Sequence, residues 1–281
     1  MSSQLVWVIT GTSSGFGREL TLAALARGDK VIATARPRSL QKLQDLKAKG
    51  AETLELEVTA PLEVLKETAR KAVEVYGRVD VVVNNAGPVE ENTPQESFDQ
   101  FNTNVLGGLN VARAFLPYMR QRKTGTIVWL GSLAGWTPVP MCALYAGTKA
   151  AIRRISESLQ EEIGPLGLRS MCVDPGMFRT AILGDGHRTG YQSRIGDYEE
   201  MGRRNEGYLA ASHNKQLGDP AKAVRIIVDV VRGEGVAKNK PFPKNLHLGS
   251  DCYEMARVSA EESLNTLEEW KVVVCSTDYK D

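Results

Sequence analysis

Short apolar runs rich in β-branched residues recur along the first two-thirds of the chain, and each is followed by a longer stretch of helical periodicity. The strand candidates are Leu5–Thr10, Lys30–Thr34, Thr53–Val58, Val79–Asn84, Thr126–Leu130 and Arg169–Val173. Candidate helices lie between them, near Gly15–Arg27, Ser39–Lys49, Pro61–Tyr76, Pro94–Arg122 and Ala143–Gly164. This alternation predicts an α/β fold with a parallel sheet, because parallel neighbours are joined by long helical crossovers. Strands so uniformly apolar are expected to be covered by helices on both faces. Right-handed crossovers then give a doubly wound sheet that binds ligands at the carboxyl ends of its strands.

After Pro175 the alternation stops. Residues 180–218 are polar and rich in Gly and Arg, with Tyr191, Tyr198 and Tyr208 interspersed, and are expected to form a lid over the site. A helix restarts at Asp219-Pro220, an N-cap followed by proline at the first helical position. Asn245–Leu248 reads as a last short strand and Asp251–Trp270 as a final helix. With no internal repeat and no linker, one domain is expected over 1–281.

The 35 basic and 34 acidic residues nearly cancel, which gives no electrostatic reason to expect nucleic acid or an anionic membrane as partner. Apolar runs such as Val81–Val83 and Ile226–Val231 are too short to span a bilayer, and the first residues do not read as a secretory signal. Cys142, Cys172, Cys252 and Cys275 are scattered, and His187, His213 and His247 form no ligand cluster, so neither a disulfide framework nor a metal site is expected. A cytoplasmic location is the expectation.

The first strand runs directly into Thr10-Gly11-Thr12-Ser13-Ser14-Gly15-Phe16-Gly17 and then a helix. Glycines there permit a tight turn and close approach of a pyrophosphate to the helix N-terminus. The spacing is Gly-x-x-x-Gly-x-Gly, not the standard Gly-x-Gly-x-x-Gly, and alone it is compatible with an ordinary strand–helix loop. At the end of the second strand, Ala33-Thr34-Ala35-Arg36 lacks the acidic residue that accepts adenosine-ribose hydroxyls in an NAD site. Arg36 can instead neutralise a ribose 2′-phosphate, and its plainer reading is a solvated surface arginine.

Tyr145 and Lys149 lie four apart on a candidate helix, hence on one face, and Tyr145 alone among eight tyrosines has a lysine at that spacing. A phenol, with an ordinary pKa of about 10, exchanges protons poorly at neutral pH, and a neighbouring ammonium stabilises its phenolate. Ser132 follows the fifth strand, where a hydroxyl would project into the ligand crevice. Asn84-Asn85-Ala86-Gly87 ends the fourth strand, and Asn104 sits within the next helix, where a mediocre helix former suggests a backbone or water contact. Singly, each also reads as a turn residue or an exposed polar group.

Jointly, over about residues 5–180, these residues resemble the short-chain dehydrogenase/reductase family in its short, single-domain form, with a Rossmann-type doubly wound sheet. Thr10–Gly17 match its cofactor turn, Asn84–Gly87 its Asn-Asn-Ala-Gly motif, and Asp174-Pro175-Gly176 with Thr180 its Pro-Gly segment. Asn104, Ser132, Tyr145 and Lys149 match its catalytic tetrad, Ser132 standing 13 and Asn104 41 residues before Tyr145. The Ala-Thr-Ala-Arg segment and Ala114–Met119 look like the branch of 17β-hydroxysteroid and retinol dehydrogenases.

The resemblance implies an NADP(H)-dependent oxidoreductase, less readily one using NAD(H), that interconverts a ketone or aldehyde and an alcohol. Tyr145 would exchange the proton, Lys149 would hold the nicotinamide ribose and assist Tyr145, Ser132 would polarise the substrate oxygen, and Asn104 would support a water relay. Cofactor contacts are expected from Gly11, Ser13, Ser14, Gly15, Phe16, Gly17, Arg36, Glu57, Val58, Asn85, Ala86, Gly87, Tyr145, Lys149, Pro175, Gly176, Phe178 and Thr180. Ser132, Leu133, Trp136, Met141, Leu144, Tyr145 and Met177 would surround an apolar carbonyl substrate, though the apolar ones read equally as core. Glu57 stands where the family has Asp, and Gly131 replaces a common serine. Homodimers or homotetramers are frequent in the family. Two rival readings are a reductase coupled to a multistep biosynthetic transformation and an NADP sensor without turnover.

Overall fold

The computed structural model describes residues 4–84, 94–180, 183 and 196–279. Seven strands form one all-parallel sheet: β1 Val6–Ile9, β2 Lys30–Ala35, β3 Glu52–Glu55, β4 Val81–Asn84, β5 Thr126–Leu130, β6 Arg169–Pro175 and β7 Asn245–Leu248. Their order is β3-β2-β1-β4-β5-β6-β7. The chain winds outward from β1 to β3 and then returns to β4, so the direction of winding reverses between β1 and β4. At such a switch point the flanking connections leave on opposite faces and open a crevice at the carboxyl ends.

The helices are α1 Gly15–Ala26, α2 Gln44–Ala48, α3 Leu62–Tyr76, α4 Pro94–Phe101, α5 Gly108–Arg122, α6 Ala143–Ile163, α7 Glu199–Ser212, α8 Pro220–Arg232 and α9 Ser250–Cys275. Strand alternation sorts the core into two layers. Trp7, Ile9, Val31, Ala33, Val81, Val83, Val128, Met171 and Val173 pack on one face with Leu20 of α1 and Ile227 of α8. Val6, Val8, Ile32, Val82, Ile127 and Trp129 pack on the other with Leu65 of α3, Phe115 of α5 and Ile152 of α6. Buried Trp7 and Trp129 each donate their indole N–H, to Asp29 (2.9 Å) and Ser170 (3.0 Å) respectively, so neither carries an orphaned polar group into the core.

The expected helix over Pro94–Arg122 is α4 and α5 joined by a wider π-helical turn at Asn102–Gly107. Gly107 lies against the chain after β3; a Cβ there would stand 3.0 Å from the Val58 carbonyl. The helix expected over Ser39–Lys49 opens with tight 3₁₀ turns at Pro37–Leu43 before α2. The segment expected as a lid contains α7, whose weakly apolar face carries little helical signal in the sequence. The feet of that segment are tied together: Gly218 N–H donates to the Met177 carbonyl (3.0 Å) and Arg179 N–H to the Gly218 carbonyl (3.0 Å). Residues 181–182 and 184–195 of the expected lid, with His187, Arg188 and Arg194, lie outside the described residues. Among the described residues no helix is long and apolar enough to cross a membrane.

At the amino edge of the sheet Asp80 is nearly buried and ties three elements together. Its carboxylate accepts the Val6 N–H (2.8 Å), Arg78 Nε (3.0 Å) and Arg122 Nη2 (2.9 Å). Removing a buried carboxylate strands the donors aimed at it. Asp80→Ala is expected to lower unfolding stability by about 3 kcal/mol in urea denaturation.

Candidate active site

Parallel strands put the chain segments after β1, β2, β4, β5 and β6 on one edge, and the candidate residues lie there. The glycine-rich turn after β1 is fastened to both neighbouring strands. Thr10 N–H and Oγ1 donate to the Val83 carbonyl (2.9 and 3.0 Å), and Thr12 N–H and Oγ1 to the Thr34 carbonyl (both 3.1 Å). Gly11 and Gly15 adopt φ values of 65° and 59°, in the left-handed region where other residues are strained. A Cβ at Gly15 would meet nothing within 4 Å, so the turn presents open backbone. Ser14, the N-cap of α1, makes no side-chain cap, and no acidic residue occupies the first helical turn. Backbone donors and the positive end of the helix dipole thus suit a pyrophosphate.

Phe16 packs edge-on against buried Phe178, with ring centroids 5.2 Å apart, which joins this turn to the segment after β6. Phe178 is therefore a packing link between the glycine-rich turn and the segment after β6. In that segment Gly176 N–H donates to the Leu248 carbonyl (2.8 Å) and Met177 N–H to Asp251 Oδ2 (2.6 Å), and a Cβ on Gly176 would overlap the Asp251 carboxylate. Thr180 N–H donates to the Phe178 carbonyl (2.8 Å).

Arg36 is exposed just beyond the end of β2, and neither it nor Arg38 takes part in an ion pair among the described residues. Arg38, two residues beyond Arg36, is exposed as well. Glu57 is turned to its own loop, Oε1 accepting Thr59 Oγ1 (3.1 Å) and N–H (3.4 Å), while Val58 is buried. Asn85, Ala86 and Gly87 lie outside the described residues.

Ser132 stands at the end of β5 in extended conformation and caps the turn Leu133–Gly135, its Oγ accepting the Ala134 N–H (3.2 Å). With that lone pair engaged, the hydroxyl hydrogen is directed elsewhere. Gly135 lets the turn lie flat on α6; a Cβ there would stand 3.0 Å from the Lys149 carbonyl carbon and 3.1 Å from the Ala150 nitrogen. The first half of α6 carries Tyr145 and Lys149. Lys149 Nζ donates to the Leu130 carbonyl (2.9 Å) and lies 5.5 Å from the Tyr145 ring centroid. A helix face, a strand end and a phenol thus share one ammonium.

Asn104 lies in the π-helical turn and is 7% exposed. Its Nδ2 donates to Thr148 Oγ1 (3.1 Å), which donates in turn to the Tyr145 carbonyl (2.8 Å). Asn104 Oδ1 is buried without a partner among the described residues, a site suited to an ordered water. The sequence reading missed Thr148, which links Asn104 to α6 although it sits inside the Tyr-Lys spacing.

Around these groups, Leu133, Trp136, Leu144 and Met177 are half-buried. Met141, also half-buried, has φ 64°, left-handed backbone that is unfavourable for a side chain of its size. Trp136 stacks under Arg153 at 3.8 Å and meets His247 edge-on at 4.7 Å. Burial and the Arg153 charge push the His247 pKa below its ordinary value, against the opposing pull of Asp174.

Residues 5–189 match the family model described as short chain dehydrogenase. The chain belongs to the short chain dehydrogenase family, whose members are oxidoreductases. It is 32% identical over 278 residues to oxidoreductase BOA17 of Botryotinia fuckeliana, covering 95% of this chain and 96% of that one. It is 30% identical over 247 residues to the 3-ketodihydrosphingosine reductase of Bacteroides thetaiotaomicron, covering 86% and 87%. A crystal structure of a short-chain dehydrogenase from Streptomyces avermitilis superposes with a TM-score of 0.84 at 36% identity, covering 98% of this chain and 99% of that one.

Two of the four thiols lie beside the site. Burial pushes the Cys172 thiol well up, with the nearby Asp174 charge adding to it, and burial likewise pushes Cys252 up to about 12. Cys252 is then held as the unreactive thiol at neutral pH. Exposed Cys275 is expected to react promptly with a disulfide reagent, and Cys172 and Cys252 only on unfolding, as timed thiol titration would show.

Proposed function

We propose that this chain is an NADP(H)-dependent oxidoreductase that interconverts a ketone or aldehyde and an alcohol, with Tyr145 as general acid and base. The observation that carries this reading is the gathering of Tyr145, Lys149, Ser132 and Asn104 at the carboxyl edge of the sheet, beside the open glycine-rich turn. Bound NADP(H) would supply the hydride, for which no side chain can substitute.

In the reductive direction Tyr145 Oη gives its proton to the carbonyl oxygen, and in the oxidative direction it takes one from the alcohol. Lys149, held by the Leu130 carbonyl, keeps a positive charge beside the phenol and steadies the negative charge that proton transfer leaves on it. Ser132 donates its hydroxyl hydrogen to the same substrate oxygen, fixing its orientation. Asn104 anchors the turn of α6 that carries Tyr145 and offers Oδ1 to a water that returns protons.

Arg36 and Arg38 favour NADP over NAD, because the end of β2 offers two cations and no acidic acceptor. The half-buried Leu133, Trp136, Met141, Leu144 and Met177 favour an apolar or aromatic substrate.

Tyr145→Phe is expected to reduce turnover at least a hundredfold in a nicotinamide-absorbance assay across a carbonyl panel, with NADPH affinity nearly unchanged. Wild-type turnover in that variant would remove Tyr145 from the chemistry, and silence of the wild type with intact NADPH binding would favour a sensor. Arg36→Ala is expected to raise the KM for NADPH roughly ten- to a hundredfold while leaving that for NADH within about twofold. An unchanged NADPH/NADH ratio would refute the arginine assignment.

A further inference from the structure

Directly beneath Ser132 lies a carboxylate that the reaction above does not use. Asp174, near the end of β6, is fully buried. Its Oδ1 accepts the Ser132 N–H (3.1 Å) and faces the Cys172 thiol (3.5 Å); its Oδ2 accepts the Trp136 indole N–H (3.0 Å). His247 Nε2 stands 4.0 Å away, and among the described residues no lysine or arginine pairs with Asp174. Desolvating a carboxylate without a paired cation is costly and is offset here by donated hydrogen bonds.

The surroundings are shaped to admit this group. A Cβ at Gly131 would overlap Asp174 Oδ1 and lie 2.7 Å from Cys172 Sγ, so the space beside Ser132 that a side chain at 131 would fill belongs to the carboxylate. Two N–H donors converge on it, the main chain of Ser132 on Oδ1 and the ring of Trp136 on Oδ2. An asparagine has one acceptor oxygen and could satisfy only one of them, presenting its own N–H to the other; a carboxylate satisfies both. Trp136 is held at its far end as well, where Ser259 Oγ of α9 donates to its carbonyl (2.7 Å).

We propose that Asp174 is the positioning residue of this site, holding the Ser132 main chain and the Trp136 ring so that the Ser132 hydroxyl meets the substrate oxygen. The inference rests on the role given to Ser132 above. Asp174 touches no reacting atom; it acts through Ser132, and removing it costs activity only while the serine hydroxyl is present.

The test is a double-mutant cycle of Asp174→Asn with Ser132→Ala, measuring kcat, the KM for the carbonyl substrate and the NADPH Kd of each purified protein. Asp174→Asn is expected to lower kcat roughly ten- to a hundredfold with NADPH Kd unchanged. In the Ser132→Ala background the same change is expected to cost less than about twofold, since the hydroxyl it positions is gone. Losses that multiply, or wild-type kcat in Asp174→Asn, would overturn the proposal. Wild-type kcat in Ser132→Ala would instead overturn the role of Ser132 itself. If Asp174→Asn folds poorly, it is measured in a Trp136→Phe background, where the asparagine oxygen can serve the one remaining N–H donor, that of Ser132; there Asp174→Asn is expected to change kcat less than about twofold, and a tenfold loss would overturn the proposal.

Discussion

Parallel pairing is the constraint from which the rest of this molecule follows. Each strand that runs beside its predecessor in the same direction must be reached by a crossover, and the crossovers here are helices that cover both faces of the sheet. Every strand therefore ends on the same edge. Residues as distant in sequence as Gly11, Ser132 and Asp174 become neighbours of one crevice because each follows or closes a strand. The reversal between β1 and β4 opens that crevice between chain segments that would otherwise lie shoulder to shoulder.

Within the crevice, precision comes from close backbone approach and from buried donors and acceptors that satisfy one another. Gly135 lets the turn after Ser132 lie on the backbone of α6, which fixes the serine relative to Lys149. Lys149 ties α6 to the end of β5 through the Leu130 carbonyl, and Asn104 ties α6 to the π-helical turn through Thr148. Three elements thus converge on the first half of α6. Gly131, a departure from the serine common in the family, has its physical reason in the Asp174 carboxylate that fills the space above it. The two positions are complementary, and neither is intelligible alone.

Much of the fold was legible because hydrophobic periodicity survives in a chain whose strands are buried on both faces. The six early strand candidates and the last one at Asn245–Leu248 each overlap an observed strand, although Thr53–Val58 runs three residues past the end of β3. Local spacing also exposed Tyr145 with Lys149, since four residues on a helix is one turn. Elements whose identity depends on tertiary support were not legible. The π-helical turn at Asn102–Gly107 has no compositional mark, and α7 is too polar to show a periodic face. Thr148 and Asp174 look like ordinary residues until the elements that they bridge are placed side by side.

By itself, the sequence determined the class of fold, the edge at which a ligand would bind and the residue types gathered there, because periodicity, turn chemistry and helical spacing are local properties. Tertiary structure alone decided which atoms meet. Lys149 is set on the Leu130 carbonyl, Asn104 on Thr148, Phe16 on Phe178, and the Asp174 carboxylate beneath Ser132. Those contacts join residues from 19 to 162 positions apart. Spacing along a chain carries no record of them; they exist only once the sheet has ordered its strands and the helices have packed across its faces.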